Sequence, residues 1–401
     1  LEGQLYAVNT LFSSNEVTNN GHGGGAYVSG NLVLDTVSFD TNIATGSASG
    51  GGGGSGGGLY VFSTDSNTRA SLSNVDFLNN MARNESGDRI AGGGVFFEYP
   101  NSGNGPSYVV TMNNVMFLGN GVTSNSNSVG FWSALGGGLA VSSNTWVYLE
   151  GVTFNANLAY NANTGGNDSA IGGGLYIDTT AIVSACYFEG NSASGGGSGE
   201  KNGGGMGTWA ISAATLNRTV FFNNQTHTGG GLDTKGRATV INSIFFRNTA
   251  TSIGGGIGVN NTNVKVIFCT VAFNSAHTGA GLYATAGGAQ LVTSSIFYNN
   301  DGADVYENAG ADLALENCLV ETGATGLVSI NVIIGADAFA VGFTGTSDYT
   351  QLSVTPTSPA RDNGATPDVD LYSGITAEDF LQLRRYVHAT PDIGAFEGRP
   401  I

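Results

Sequence analysis

The chain has 401 residues, with 65 Gly, 7 Pro, and 13 Lys or Arg against 30 Asp or Glu, which leaves a formal net charge of −17. So acidic a balance argues against nucleic acid or an anionic membrane as partner, and leaves cations such as calcium open as ligands. No apolar run is long enough to cross a bilayer: the best, 326–343, contains Asn331 and Asp337, so no membrane span is expected.

From its start the chain repeats one phrase. Leu5-Tyr6-Ala7 followed by Phe12 and Asn15 reads as part of a coil with no amphipathic helix before it, so more chain or another subunit is expected against that end. Gly-Gly-Gly then stands at 23–25, 56–58, 92–94, 136–138, 172–174, 203–205, 229–231 and 254–256, with the variant Gly279-Ala280-Gly281. Each is followed by a Phe: Phe39, Phe77, Phe117, Phe154, Phe188, Phe221, Phe245, Phe273 and Phe297. Three residues later come Asn42, Asn80, Asn120, Asn157, Asn191, Asn224, Asn248 and Asn300, with Ala276 as the exception after Phe273. A period this regular marks a stacked array.

Apolar residues keep fixed distances from the Phe, as Leu149 and Val152 do before Phe154, and flank the second position after the glycines, as Leu139 and Val141 do. Apolar-x-apolar is the period of a strand with one buried face. Three such strands per repeat, turned at Asn and Gly corners, predict an all-β, single-stranded, right-handed parallel β-helix: a three-sided solenoid of about eleven turns. Neighbouring coils lie about 4.8 Å apart, so the Phe series is expected to stack as a core ladder and the Asn series as a corner ladder of amides. Tyr27, Tyr60, Phe96, Tyr176 and Tyr283 form an outward column. Its rings are expected to stack on one another over the sheet; the other use for them is stacking on sugars or a neighbouring protein.

The coils differ mainly between the Asn and the next glycines. These stretches, rich in Gly, Ser, Asn and Ala, are long at 43–55, 121–135, 158–171 and 192–202 and short afterwards. Insertions on one edge are expected to form the contact face of a repeat protein. Past Phe297 the pattern fades, and from Gly326 charge and proline rise. The expected division is 1–325 for the solenoid and 326–401 for degenerate last turns and a small C-terminal cap. Within the latter, 376–387 predicts a helix laid over the last turn, N-capped by Thr376 and with Arg384 and Arg385 near its C-terminus. Asp362 and Asp392 are expected to pair with these arginines and fix the cap. Cys186, Cys269 and Cys318 make no disulfide framework and are expected as buried free thiols.

The Gly-Gly…Phe-x-x-Asn repeat over 4–300 resembles the repeats of chlamydial polymorphic outer membrane proteins and related right-handed parallel β-helix surface proteins. Ser358-Pro359-Ala360-Arg361-Asp362-Asn363-Gly364 and Asp392-Ile393-Gly394-Ala395-Phe396-Glu397 are similar to the end of bacterial choice-of-anchor β-helix proteins. The resemblance implies secretion or surface display, and in some members adhesion. No membrane barrel or sorting segment accompanies it here.

The best candidate for chemistry is Asp233, Lys235 and Arg237 in one coil, beside His227, with His277 at the same corner two coils on and about 10 Å away. A His and a Lys near an Asp have the means to abstract a proton, but an ordinary solvated strand accounts for the same residues. The glycine runs lack the Lys-Ser/Thr of a phosphate loop and no zinc spacing is present, so no cofactor or metal is expected beyond the open case of calcium. The expected protein is an extracellular, cell-surface structural or adhesive subunit of a fibre or surface layer, and not an enzyme. It would meet copies of itself, other surface proteins or glycans through its loop edge and open N-terminal end. The alternative is a carbohydrate-active β-helix enzyme, a polysaccharide lyase or hydrolase, or a sugar-binding module.

Overall fold

The computed structural model describes residues 2–46, 53–64, 67–84, 90–99, 108–124, 133–162, 169–196, 198–210, 212–260, 262–285, 287–322 and 328–334, and in the C-terminal region 352, 358–361, 363–364, 379–382 and 391–395. Among the described residues the protein is all-β and holds no helix. Strands of successive coils pair in parallel with equivalent residues in register, Phe77 with Phe117, Phe117 with Phe154 and Phe154 with Phe188. The architecture is a parallel β-solenoid.

Local chemistry explains each coil. In Thr145–Glu150 every second residue is buried, so Thr145, Val147 and Leu149 point inward while Trp146, Tyr148 and Glu150 face out. Left-handed corners separate the strands, at Gly151 (φ 61°) and Ala156 (φ 54°) in this coil. Inside, the rings from Phe12 through Phe39, Phe77, Phe117, Phe154, Phe188 and Phe221 to Phe245 stack face to face. Their centroids lie 4.6 to 5.0 Å apart and their planes within 10° of parallel. Cys186, Cys269 and Cys318 are buried free thiols, and burial pushes those of Cys186 and Cys318 up to about 12.

One repeat is out of phase with the expectation. Val271, not Phe273, pairs with Phe245 on one side and Phe297 on the other. Asn274 rather than Ala276 holds the corner amide position, accepting from Asn248 and donating to Asn300. The residue before each corner Asn sits at positive φ, and here that residue is Phe273, at 58°. Its ring therefore turns outward and meets Phe246 and Tyr298 edge-on. A corner Ala would leave buried donors unpaired, a larger cost than replacing one ring by Val.

The coils as far as Thr249–Ile253 also carry strands where loop was expected. Met81–Asn84, Gly121–Ser124, Leu158–Asn161 and Ser192–Gly195 run outward after the corner Asn; Ile90–Ala91, Ser133–Leu135, Ser169–Ile171 and Lys201–Asn202 return to the glycines. Outgoing and returning strands pack through Ala82, Ile90, Val122, Ala134, Ala159, Ala170 and Ala193. Where the insertion is short, Gln225–Thr228 spans both positions, pairing Gln225 with Ser192 and Thr228 with Asn202.

The stack extends past 325, through Val328–Ile330 and Ile333–Ile334. The helix expected over 376–387 is absent from its described part. Residues 379–382 form a turn in which the Asp379 carboxylate accepts the Leu381 N–H at 2.9 Å and Gln382 has φ 62°. A buried Asp that bonds the backbone two residues on stabilises a turn in competition with the helix. Leu352, Ala360, Ile393 and Ala395 lie along the flank, against Val220, Ile244, Phe246, Ile296 and Leu319. Gly394 N–H donates to Ser294 O at 2.8 Å and Ala395 N–H to Thr270 Oγ1 at 3.1 Å. Asp392 is buried there, whereas Asp362, Arg384 and Arg385 lie outside the described residues.

Candidate binding recess

The outward column becomes a second core. Tyr60, Phe96 and Tyr176 are only 4%, 3% and 4% exposed, because Ala91, Leu135 and Ile171 of the returning strands close over them. These rings are not a platform for sugars. Tyr27 stacks on Tyr60 at 5.2 Å and stays half-exposed, and Tyr283 stacks on Tyr306 at 5.4 Å.

Between these aromatic stretches the column reads Gly207, Asp233, Gly258, each paired with the next. A Cβ at Gly258 would come within 2.7 Å of Asp233 Oδ1, so the small neighbour is what seats the carboxyl. Asp233 is 1% exposed and receives Asn260 Nδ2 at 2.7 Å. Burial pushes its pKa up to about 8; Lys235 and the Asn260 hydrogen bond pull the other way, and Glu200 adds to the rise. At neutral pH this acid holds its proton.

Here the insertions change from long to short, and the step leaves a recess of about 850 Å³. Its walls come from 192–195, 198–202, Gln225–Thr228 and the strand Thr249–Ile253, with Lys235 and Asn260 at its inner side. The Lys235 ammonium pairs with the Glu200 carboxylate and lies 4.6 Å from the centre of the Trp209 ring, which is 39% exposed. His227 Nδ1 and Thr251 Oγ1 share a hydrogen bond of 2.8 Å. Lys201, largely buried, has its pKa lowered by desolvation.

Of the residues singled out in the sequence, His227 and Lys235 line this recess, and Asp233 sits behind Asn260. Arg237 and His277 are exposed and lie outside it. Glu200, Lys201, Trp209 and Asn260 were not legible as site residues. Only Asn260 carried a signal, since register places it one coil beyond Lys235. Among the described residues no group of three or more His, Cys, Asp or Glu is gathered as a cation would need, and no helix is long and apolar enough to cross a membrane. Asn84 and Asn224, each the first residue of an Asn-x-Ser/Thr triplet, are fully buried.

No known protein family matches the chain, and no curated protein does. Fold and site together define a parallel β-solenoid with one flank of inserted loops and a recess of mixed polar and apolar lining where the long insertions end.

Proposed function

We propose that the protein is an extracellular structural or adhesive subunit of a cell surface, a right-handed β-helix rod that meets copies of itself or other surface proteins through its loop edge. The handedness follows the rule for crossovers between parallel strands of one sheet. A single observation carries the functional reading: the long insertions leave the rod through one flank, between outgoing and returning strands that stay in register from coil to coil. A rigid, repetitive body with its variety gathered on one side suits contact and display. Enzymatic action is not favoured, because the one buried acid near the recess is shielded by Asn260.

The test shortens 121–135 and 158–171 to the length of Gln225–Thr228, a crossing the fold already uses. The wild-type chain should form lateral or end-to-end oligomers in light scattering and electron micrographs as concentration rises. The shortened chain should fold with unchanged circular dichroism and stay monomeric. A wild-type protein that remains monomeric at its solubility limit overturns the assembly reading.

A further inference from the structure

We infer that the recess bounded by 192–195, 198–202, Gln225–Thr228 and Thr249–Ile253 is a binding site for an acidic saccharide, a sugar chain carrying carboxylates. This goes beyond the display function and uses other residues than the loop tips, so it stands or falls separately.

Three observations support it. The chain has only three lysines, yet Lys201 and Lys235 both line this recess, with His227 opposite. Against them stands one accessible carboxylate, Glu200, already tied to Lys235. In a molecule of net charge −17, a recess lined by two of the three lysines and one carboxylate is a local exception that an anion can enter. Second, hydroxyl and amide groups are set into walls that also present hydrocarbon: Gln225, Thr226, Thr249, Thr251 and Asn260, with Ile253 the largest apolar side chain among them. Such a mixed lining suits a ligand that carries both hydroxyls and C–H faces, as a sugar does. Third, Trp209, outside the lining of the recess but against Lys235, offers a partly exposed ring as an apolar surface for the C–H face of a sugar held by that lysine. A recess of about 850 Å³ is wide for a lone ion and fits a segment of oligosaccharide.

The chemistry of binding follows from the ion pair. A ligand carboxylate takes a charge-assisted hydrogen bond from Lys235, which turns part-way from Glu200. The freed carboxylate oxygen of Glu200 accepts from sugar hydroxyls, so neither charge loses its partner. His227 and Asn260 lie within the same walls to orient the next ring.

The experiment is calorimetric titration of the whole chain with oligogalacturonate and with its methyl ester, which differs only in lacking the charge. The acid form should bind, and the ester about tenfold more weakly or worse, the loss expected for one charge-assisted contact. Lys235→Met and His227→Gln should each weaken binding of the acid by about the same factor, while Lys265→Met, in another strand, leaves it unchanged. His227 is exposed, so its variant tests the site even if Lys235→Met fails to fold. Absence of binding by the acid form, equal affinity for the ester, or unchanged affinity in His227→Gln would each overturn the assignment.

Discussion

Asn248 donates both its backbone N–H and its side-chain Nδ2 to the Oδ1 of Asn274, at 2.9 and 3.0 Å. The same double donation runs from Asn15 to Asn42 and onward coil by coil, always towards the C-terminal neighbour. A ladder with one direction needs an acceptor at its end. Asp304 supplies it: its Oδ1 takes Asn300 Nδ2 at 2.6 Å, and its Oδ2 takes the Thr322 N–H at 2.7 Å. The ladder is therefore a register device, and it decides which of Val271 and Phe273 faces the core.

Replacing a middle rung should be costly. Asn157 gives Nδ2 to Phe117 O and Asn191 Oδ1, and accepts twice from Asn120, all in buried surroundings. Asn157→Ala should cost about 3–5 kcal/mol, because it strands several buried groups at once. Asn15→Ala, at an exposed rung, should cost under about 1 kcal/mol. Urea unfolding followed by fluorescence separates the two.

The register correction makes its own prediction. Phe221→Ala removes a ring stacked on both sides and should destabilise by about 3–5 kcal/mol. Phe273→Ala removes a half-buried ring on the flank and should cost well under half as much. Val271→Phe should be tolerated: a Cβ on Gly256 would meet Val271 Cγ1 at 3.0 Å, the distance at which one on Gly281 would meet the Phe297 ring. Equal losses for Phe221→Ala and Phe273→Ala would contradict the assigned register.

Two glycines differ sharply in what they protect. A Cβ on Gly173 would lie 2.4 Å from Gly204 O and 2.5 Å from the Ser192 backbone, so Gly173→Ala should prevent local stacking. Gly190 has φ 62° with open space around it, and Gly190→Ala should cost only about 1–2 kcal/mol of left-handed strain. Soluble yield and thermal midpoints of the pair check this.

Asp233 links stability to pH. Its folded pKa, raised to about 8, exceeds the ordinary 3.8, so the folded chain keeps a proton that the unfolded chain releases. The stabilisation is complete below the ordinary value and is lost as pH rises towards 8, by at most about 1.4 kcal/mol per pH unit. Urea midpoints should therefore fall from mildly acidic to mildly alkaline pH. Asp233→Asn, which keeps an acceptor for Asn260 and has no charge to release, should flatten that slope.

Much of the fold was legible because repetition does the work of tertiary information. When coils stack in parallel, a residue's neighbour is its own counterpart one repeat away, so Phe154 above Phe117 and Asn157 above Asn120 could be read from spacing alone. Fixed distances from each Phe placed Leu149 and Val152 in the core, where both are buried. The reading failed where two phases competed. In Val271-Ala272-Phe273-Asn274-Ser275-Ala276 the aromatic was given priority, but the amide sets the phase, since an unpaired buried donor costs more than an ill-filled ring position.

Only the folded chain decided the rest. Short strands such as Ser169–Ile171 leave no periodic trace, yet Ile171 closes over Tyr176 and helps turn an outward aromatic column into core. Nothing local ties the C-terminal residues 391–395 to the flank of Ile244 and Ile296, nor brings Glu200 to Lys235. The sequence by itself determined the coil, its ladders and the side on which the insertions emerge, because those depend on contacts between equivalent positions. The recess and the flank cover depend on contacts between positions that are not equivalent, and a repeat carries no record of those.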